Sequence, residues 1–242
     1  MKLAVLVLAL GACGAAPPPA APAPSPPPAH AHAHATEPSH APEHKDHDGG
    51  GMHHGFKNAE DWAKVFDDPA RDAWQEPDRV VAALALTPTM TVADIGAGTG
   101  YFAVRIARAV PRGEVIATDL EPDMIRFMTE RAQREGLTNL RAIVTPADDP
   151  GIPPGSVDRI LIVDVWHHLG DRAAYARKLV YALRQGGQLV IVDFKLDAKR
   201  GPPAKFRLAP ADVIAELASV GLTAKVTLEL ADQYVITARR AP

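Results

Sequence analysis

Val92-Ala93-Asp94-Ile95-Gly96-Ala97-Gly98-Thr99-Gly100 is the stretch on which the reading of this chain turns. A short apolar run ending near an acid predicts a buried strand, glycines at Gly96, Gly98 and Gly100 predict a tight turn, and the amphipathic residues after them predict a helix. Glycines let the backbone turn sharply and let a ligand approach it closely. The first N–H groups of the following helix have no partner within the helix and point to the same place. The stretch therefore reads as a ligand-binding turn between a strand and a helix.

A dinucleotide fingerprint requires G-x-G-x-x-G, and in the frame that begins at Gly96 the third glycine is replaced by Tyr101. Asp94 narrows the choice further, because a carboxylate ahead of the loop repels a pyrophosphate and suits a ligand that carries a cationic amine. The run VADIGAGTGYF closely resembles the first motif of class I S-adenosylmethionine-dependent methyltransferases, and the resemblance extends from about Phe56 to the C-terminus. It implies S-adenosylmethionine as cofactor, held in part by Asp94, Gly96, Ala97, Gly98 and Gly100. It also implies an α/β fold: a Rossmann-like, doubly wound, seven-stranded sheet, mostly parallel, with an antiparallel strand in a C-terminal hairpin.

Downstream, the strands and helices follow in the order that such a sheet needs. Residues 91–95 and 114–119 predict the first two strands, with a helix at 101–110 between them that stops at Pro111 and Gly113. By the resemblance, Asp119 at the end of the second strand accepts from the two ribose hydroxyls, with Leu120 beside it and Glu121 as the substitute; otherwise Asp119 caps the helix that opens at Pro122. That helix carries Met124, Phe127, Met128 and Ala132 on one face and ends at Gly136. Residues 140–145 predict a third strand. In the acidic loop after it, the resemblance assigns Asp148, in preference to Asp149, to the adenine amino group; the other reading is a solvated loop acid.

Residues 157–165 form the most apolar predicted strand and lead into Asp164, Trp166, His167 and His168. Ligands of open parallel sheets lie beyond the carboxyl ends of the strands, so these residues stand at the level of the transferred methyl group, and Asp164 joins the cofactor contacts. Asp171 is expected to cap a helix that bears Tyr175, Leu179 and Leu183 and closes at Gly186. Residues 187–194 predict a fifth strand, ending at Asp193 and Lys195. Residues 199–210 read as a pocket-shaping loop, a helix from Asp212 to Gly221 follows, and 223–230 with 233–240 read as a hairpin.

Upstream, residues 56–90 bring Phe56, Trp62, Val65, Phe66 and Trp74 and resemble the helical extension that covers the pocket in many methyltransferases. A short helix at 60–66 is expected, and a second, capped by Asp78, carries Val80, Val81, Leu84 and Leu86 before Pro88. The domain proper spans 91–242. Residues 1–12 have the basic, apolar and small-residue order of a secretory signal, too short to span a bilayer. Leu10-Gly11-Ala12-Cys13 resembles a bacterial lipobox, and Cys13 is the only cysteine in the chain. The expectation is an exported protein, anchored to the membrane on the periplasmic side through a lipidated Cys13, or a cytoplasmic one if the signal is not cleaved. Residues 13–55 are an Ala/Pro-rich, His-rich tether in which His30, His32, His34, His40, His44 and His47 can bind transition metals weakly.

Methyl transfer from a sulfonium is an in-line displacement that needs positioning and exclusion of water rather than a protein nucleophile. An oxygen acceptor needs a base, and His167, His168 or Asp164 can supply one. A net charge of −3 and the lack of a basic tract disfavour nucleic acid, leaving a small or lipid-like acceptor. The competing reading is a lipid-anchored metal-binding or scaffold lipoprotein whose methyltransferase fold is inactive, since an exported domain faces a compartment in which the cofactor is not made.

Overall fold

The computed structural model describes residues 58–240. The expected signal, Cys13, Phe56 and the tether with its histidines lie outside the described residues. Three short helices come first: α1 (Ala59–Phe66), α2 (Ala70–Gln75) and α3 (Pro77–Ala83). The alternating part follows as β1 (Thr91–Ile95), α4 (Tyr101–Ala109), β2 (Glu114–Asp119), α5 (Pro122–Arg134), β3 (Leu140–Val144) and β4 (Val157–Val163). It continues as α6 (Arg172–Ala182), β5 (Leu183–Phe194), α7 (Pro210–Ala218), β6 (Leu222–Glu229) and β7 (Gln233–Arg240).

The seven strands form one sheet in the order β3-β2-β1-β4-β5-β7-β6. β7 runs antiparallel to both of its neighbours, β5 and β6, while the pairs among β1 to β5 are parallel. This is the expected Rossmann-like sheet. Burial on both faces explains why the central strands read as near-continuous apolar runs. Ala93, Ile160, Ile162, Leu189 and Ile191 pack on one side against Tyr175 and Leu179 of α6 and Val213 and Leu217 of α7. Val92, Leu161, Val190 and Val192 pack on the other against Val80 of α3 and Phe102 and Ile106 of α4.

Three local expectations need correction. α2 was not foreseen: six residues are too few to show a helical period, and its start is fixed by Asp68, whose Oδ1 accepts from the Ala70 N–H at 2.8 Å. Asp78 caps nothing, because α3 begins one residue earlier, at Pro77, whose locked φ suits a first helical position. Gly186 does not end α6. The helix stops at Ala182, and buried Leu183 already pairs with Val157; the register then shifts, so that Arg159 pairs with Gln188. Gly186 and Gly187 therefore serve a strand irregularity rather than a helix stop. Asp171 does cap α6, accepting from Ala174 N–H at 2.8 Å.

Candidate active site

The strand order reverses between β1 and β4, which leaves a crevice above their carboxyl ends. A cavity of about 990 Å³ opens there. The glycine loop forms its floor, with Gly96 and Gly98 both at left-handed φ values of 68° and 55°. A Cβ on Gly96 would stand 2.4 Å from Val165 Cγ2, so at this point the loop and the segment after β4 leave no room for any side chain. Gly98 is different: a Cβ there meets nothing closer than the Phe66 ring of α1, at 3.4 Å, and the narrow space between loop and α1 is what it keeps open.

Asp119 holds this loop as well as facing the cavity. Its Oδ2 accepts from Gly98 N–H at 2.8 Å and its Oδ1 from Glu121 N–H at 3.0 Å, so it binds backbone on both sides and does not cap α5. Each oxygen keeps a lone pair for a ligand hydroxyl. Burial pushes its carboxyl above the usual range, and these backbone donors pull it back. Asp94 is 3% exposed, and its Oδ2 is buried with no hydrogen-bond partner. Burial, with the nearby charge of Asp119 second, pushes Asp94 up to about 7. Such an orphaned buried acceptor is costly unless a ligand donates to it.

Of the other expected cofactor contacts, Ala97, Leu120 and Asp148 also line the cavity. Lys178 Nζ fixes the loop of Asp148 through its carbonyl at 2.6 Å and through the carboxylate of Asp149 at 3.1 Å, while Asp149 also accepts from Gly151 N–H at 2.8 Å. Gly100 is not part of the cavity wall. It sits at the N-cap of α4 with φ 86°, and a Cβ there would press on Met128 at 3.0 Å.

Asp164 takes a left-handed φ of 59°, rare for a non-glycine residue and of the kind that clusters at functional sites. Gln233 Nε2 donates to its Oδ1 and Gln75 Nε2 to its Oδ2 at 3.3 Å, while Arg71 Nη2 lies 3.9 Å from Oδ2. Burial pushes Asp164 up to about 7. His167 lies in a 3-10 turn, Trp166–His168, with its Nδ1 2.8 Å from Oδ1 of fully buried Asp193. Asp193 also accepts from the N–H groups of His167 and Phe194. That network assigns the ring proton to Nδ1 and leaves Nε2 with its lone pair. The His168 ring lies 4.2 Å from that of His167.

Trp166 does not flank the methyl site as expected. Its side chain is buried away from the cavity and donates Nε1–H to Glu216 Oε2 at 3.0 Å, anchoring the turn to α7. The apolar wall comes instead from Trp74 and Phe194, stacked with ring centres 6.3 Å apart, and from Pro202 and Pro203. Arg207 fixes the loop that carries these prolines by donating to the carbonyls of Leu196, Ala198, Arg200 and Pro202. On the α1 side, Trp62 stacks on Phe66 at 5.2 Å.

Sequence reasoning missed Arg71, Gln75 and Gln233 as site residues. Asp193 was noticed only as a strand-end acid; its level, matching that of His167, was the one signal available.

The raised carboxyls set a pH dependence. A folded-state pKa near 7 against an unfolded value of about 3.9 means that the native state keeps a proton which the unfolded chain has lost. The contribution of Asp94 and Asp164 to folding is thus fully present below about pH 3.9 and is lost progressively as pH rises to about 7. A cationic ligand needs the ionised form, so its affinity is expected to rise with pH over the same window, with proton release measurable by calorimetry in buffers of different ionisation heat. Affinity that falls with rising pH would contradict this assignment.

Comparison with known proteins agrees with this geometry. The family described as Methyltransferase domain matches residues 92–187. Ubiquinone/menaquinone biosynthesis C-methyltransferase UbiE of Bordetella parapertussis is 31% identical over 121 residues, which cover 50% of this chain and 46% of that protein. Malonyl-[acyl-carrier protein] O-methyltransferase of Methylococcus capsulatus is 32% identical over 109 residues, 44% of this chain and 38% of the relative. The match therefore spans less than half the length of either relative. Among solved structures, a SAM-dependent methyltransferase from Aquifex aeolicus superposes with a TM-score of 0.69 at 24% identity, covering 75% of this chain and 97% of that one. The glycine loop, the acids at the ends of β1 and β2 and the strand order all fall within or beside the matched segment, and residues 92–187 are similar to a methyltransferase domain.

Proposed function

We propose that the protein is an S-adenosylmethionine-dependent methyltransferase acting on a small, largely apolar or lipid-like acceptor that gives up a proton. The observation that carries this reading is the buried carboxyl of Asp94 beside the glycine loop, in the wall of a cavity of about 990 Å³. That volume lies at the upper end of the ~300–1,000 Å³ usual for small-molecule sites, enough for cofactor and acceptor together. Asp94 suits the amino group of the cofactor, Asp119 its ribose and Asp148 its adenine. The bound sulfonium supplies an activated methyl group. Trp74, Phe194, Pro202 and Pro203 hold the acceptor and exclude water, and His167 Nε2 takes the acceptor's proton while Asp193 keeps the ring in the required tautomer.

The two curated relatives are named for C- and O-methylation of small or carrier-bound acceptors, which favours the same class here. We infer also that residues 1–12 direct export, that Cys13 is lipidated and that the tether histidines bind divalent metals weakly.

Incubation of the full chain with methyl-labelled cofactor and small-molecule extracts tests the reading. Label is expected in an organic-soluble product. Label confined to protein or nucleic acid would refute the acceptor class, and absence of cofactor binding would refute the enzyme. The same protein extracted from membranes is expected to carry an acylated Cys13 by mass spectrometry; an intact Met1 in a soluble fraction would overturn export.

A further inference from the structure

The loop between β5 and α7 is basic in an acidic chain. Residues 195–207 hold five cations, Lys195, Lys199, Arg200, Lys205 and Arg207, against the single acid Asp197, while the chain as a whole has a net charge of −3. Two acids reach the loop from beyond it: Glu229 pairs with Lys195 and Asp232 with Arg200, each at 2.7 Å. The balance stays positive, because Arg207 gives its donors to carbonyls of the loop itself.

Of the five cations, Arg200 is the one that lines the cavity. Its place is fixed by several contacts. Asp232, whose side chain is 6% exposed, accepts from Arg200 Nη1 with Oδ2 and from Lys199 N–H with Oδ1 at 2.8 Å, so it holds side chain and backbone of the loop together. The guanidinium carbon stands 5.7 Å from the centre of the Trp74 ring. Next in sequence, Gly201 packs its backbone on Phe194 at a φ of 91°, where a Cβ would stand 2.5 Å from Phe194 Cδ1. Trp74 and Phe194 are the stacked pair of the apolar wall, and Phe194 follows Asp193, which orients His167. A continuous run of contacts along this wall thus joins the base to the cation.

One nitrogen of Arg200 is engaged. Nε and Nη2 make no hydrogen bond to the described residues, and the side chain is 54% exposed, so it stands where the cavity meets solvent. The Nε–Nη2 edge of a guanidinium is a fork of two donors that matches the two oxygens of a carboxylate. We propose that Arg200 binds a carboxylate on the acceptor, at the end remote from the methylated atom. The acceptor is then an acidic amphiphile: an apolar body against Trp74 and Phe194, an ionisable X–H group at His167 and a negative charge at the mouth. This rests on the acceptor reading above. It sets specificity as well, since an uncharged analogue keeps the wall and loses the fork, and a cationic one meets the positive loop.

The test measures binding by calorimetry on the full chain saturated with S-adenosylhomocysteine. Two matched pairs of probes are used, 6-hydroxy-2-naphthoate against 2-naphthol and octanoate against octanol. The carboxylate member of each pair is expected to bind on the order of 10-fold more tightly, and the advantage is expected to shrink as salt rises because the guanidinium is half-exposed. Arg200→Gln is expected to erase the advantage and to leave S-adenosylhomocysteine affinity unchanged. Asp232→Asn removes the acid that anchors the loop but keeps the cation, so it is expected to retain the advantage. Arg200→Lys keeps the charge without the fork; it is expected to retain part of the advantage and serves if the glutamine variant does not fold.

If Arg200 only pinned the loop, Arg200→Gln and Asp232→Asn would weaken all four probes alike, and that result would overturn the proposal. Equal affinities within both pairs in the wild-type protein would also overturn it and leave the apolar acceptor standing. Binding of none of the four by protein that does hold S-adenosylhomocysteine would remove the acceptor reading itself, and the role of Arg200 with it.

Discussion

Replacing His167 with glutamine is expected to lower turnover by about 10²–10⁴-fold, the usual contribution of a positioned base, with little change in cofactor affinity. The expectation follows from three contacts. The Asp193 carboxylate is buried and accepts from two backbone N–H groups, so it is fixed before any ligand arrives. It then fixes the imidazole through Nδ1 at 2.8 Å, and the ring lines the cavity beside Asp164. Asp193→Asn offers an N–H where Nδ1 needs an acceptor, which favours the other tautomer and places the proton on Nε2. That variant is expected to lose turnover to a similar degree while it stays folded. A fully active His167→Gln protein, measured with the labelled product, would show that the acceptor needs no base or that the base lies elsewhere.

Gly96→Ala is expected to be among the most destabilising single-methyl additions in the domain. The added Cβ would lie 2.4 Å from Val165 Cγ2, where the glycine loop packs on the segment after β4, at a φ of 68° that non-glycine residues adopt at a cost. Left-handed strain of about 1–3 kcal/mol and overpacking of about 1–3 kcal/mol act together, a sum comparable with much of a domain's stability. Gly98→Ala shares the strain without the clash, since its Cβ meets only the edge of Phe66 at 3.4 Å. The urea midpoint of the Gly96 variant is therefore expected to fall well below that of the Gly98 variant. Equal midpoints would mean that Val165 yields and that the loop is softer than its packing implies.

The parts of this architecture that were legible in the sequence are those encoded over short distances. The bounds of β1 and β2 match the residues expected for them, because each strand is an apolar run with an acid at or near its end. The acids at 94 and 119 and the glycine loop stand around one cavity because a strand, a turn and a helix in succession leave little choice of direction. What stayed hidden depends on pairing across the chain. His167 meets Asp193 across 26 residues, and Gln75 meets Gln233 across 158. Trp166 looked like a pocket residue from its neighbours, yet a three-residue turn points it at Glu216 instead. α2 carried no periodic signal, so the cation that it brings to the cavity had none either.

The position of β7 bears on how the protein is made. Although last in sequence of the seven strands of this sheet, it lies between β5 and β6, and its first residue, Gln233, supplies a donor to Asp164. During synthesis, β1 to β5 can pair as they emerge, but β5 keeps an open edge and Asp164 lacks that donor until residues 233–240 arrive. The site is therefore completed by a long-range pairing, which can form only after residues 233–240 have been made.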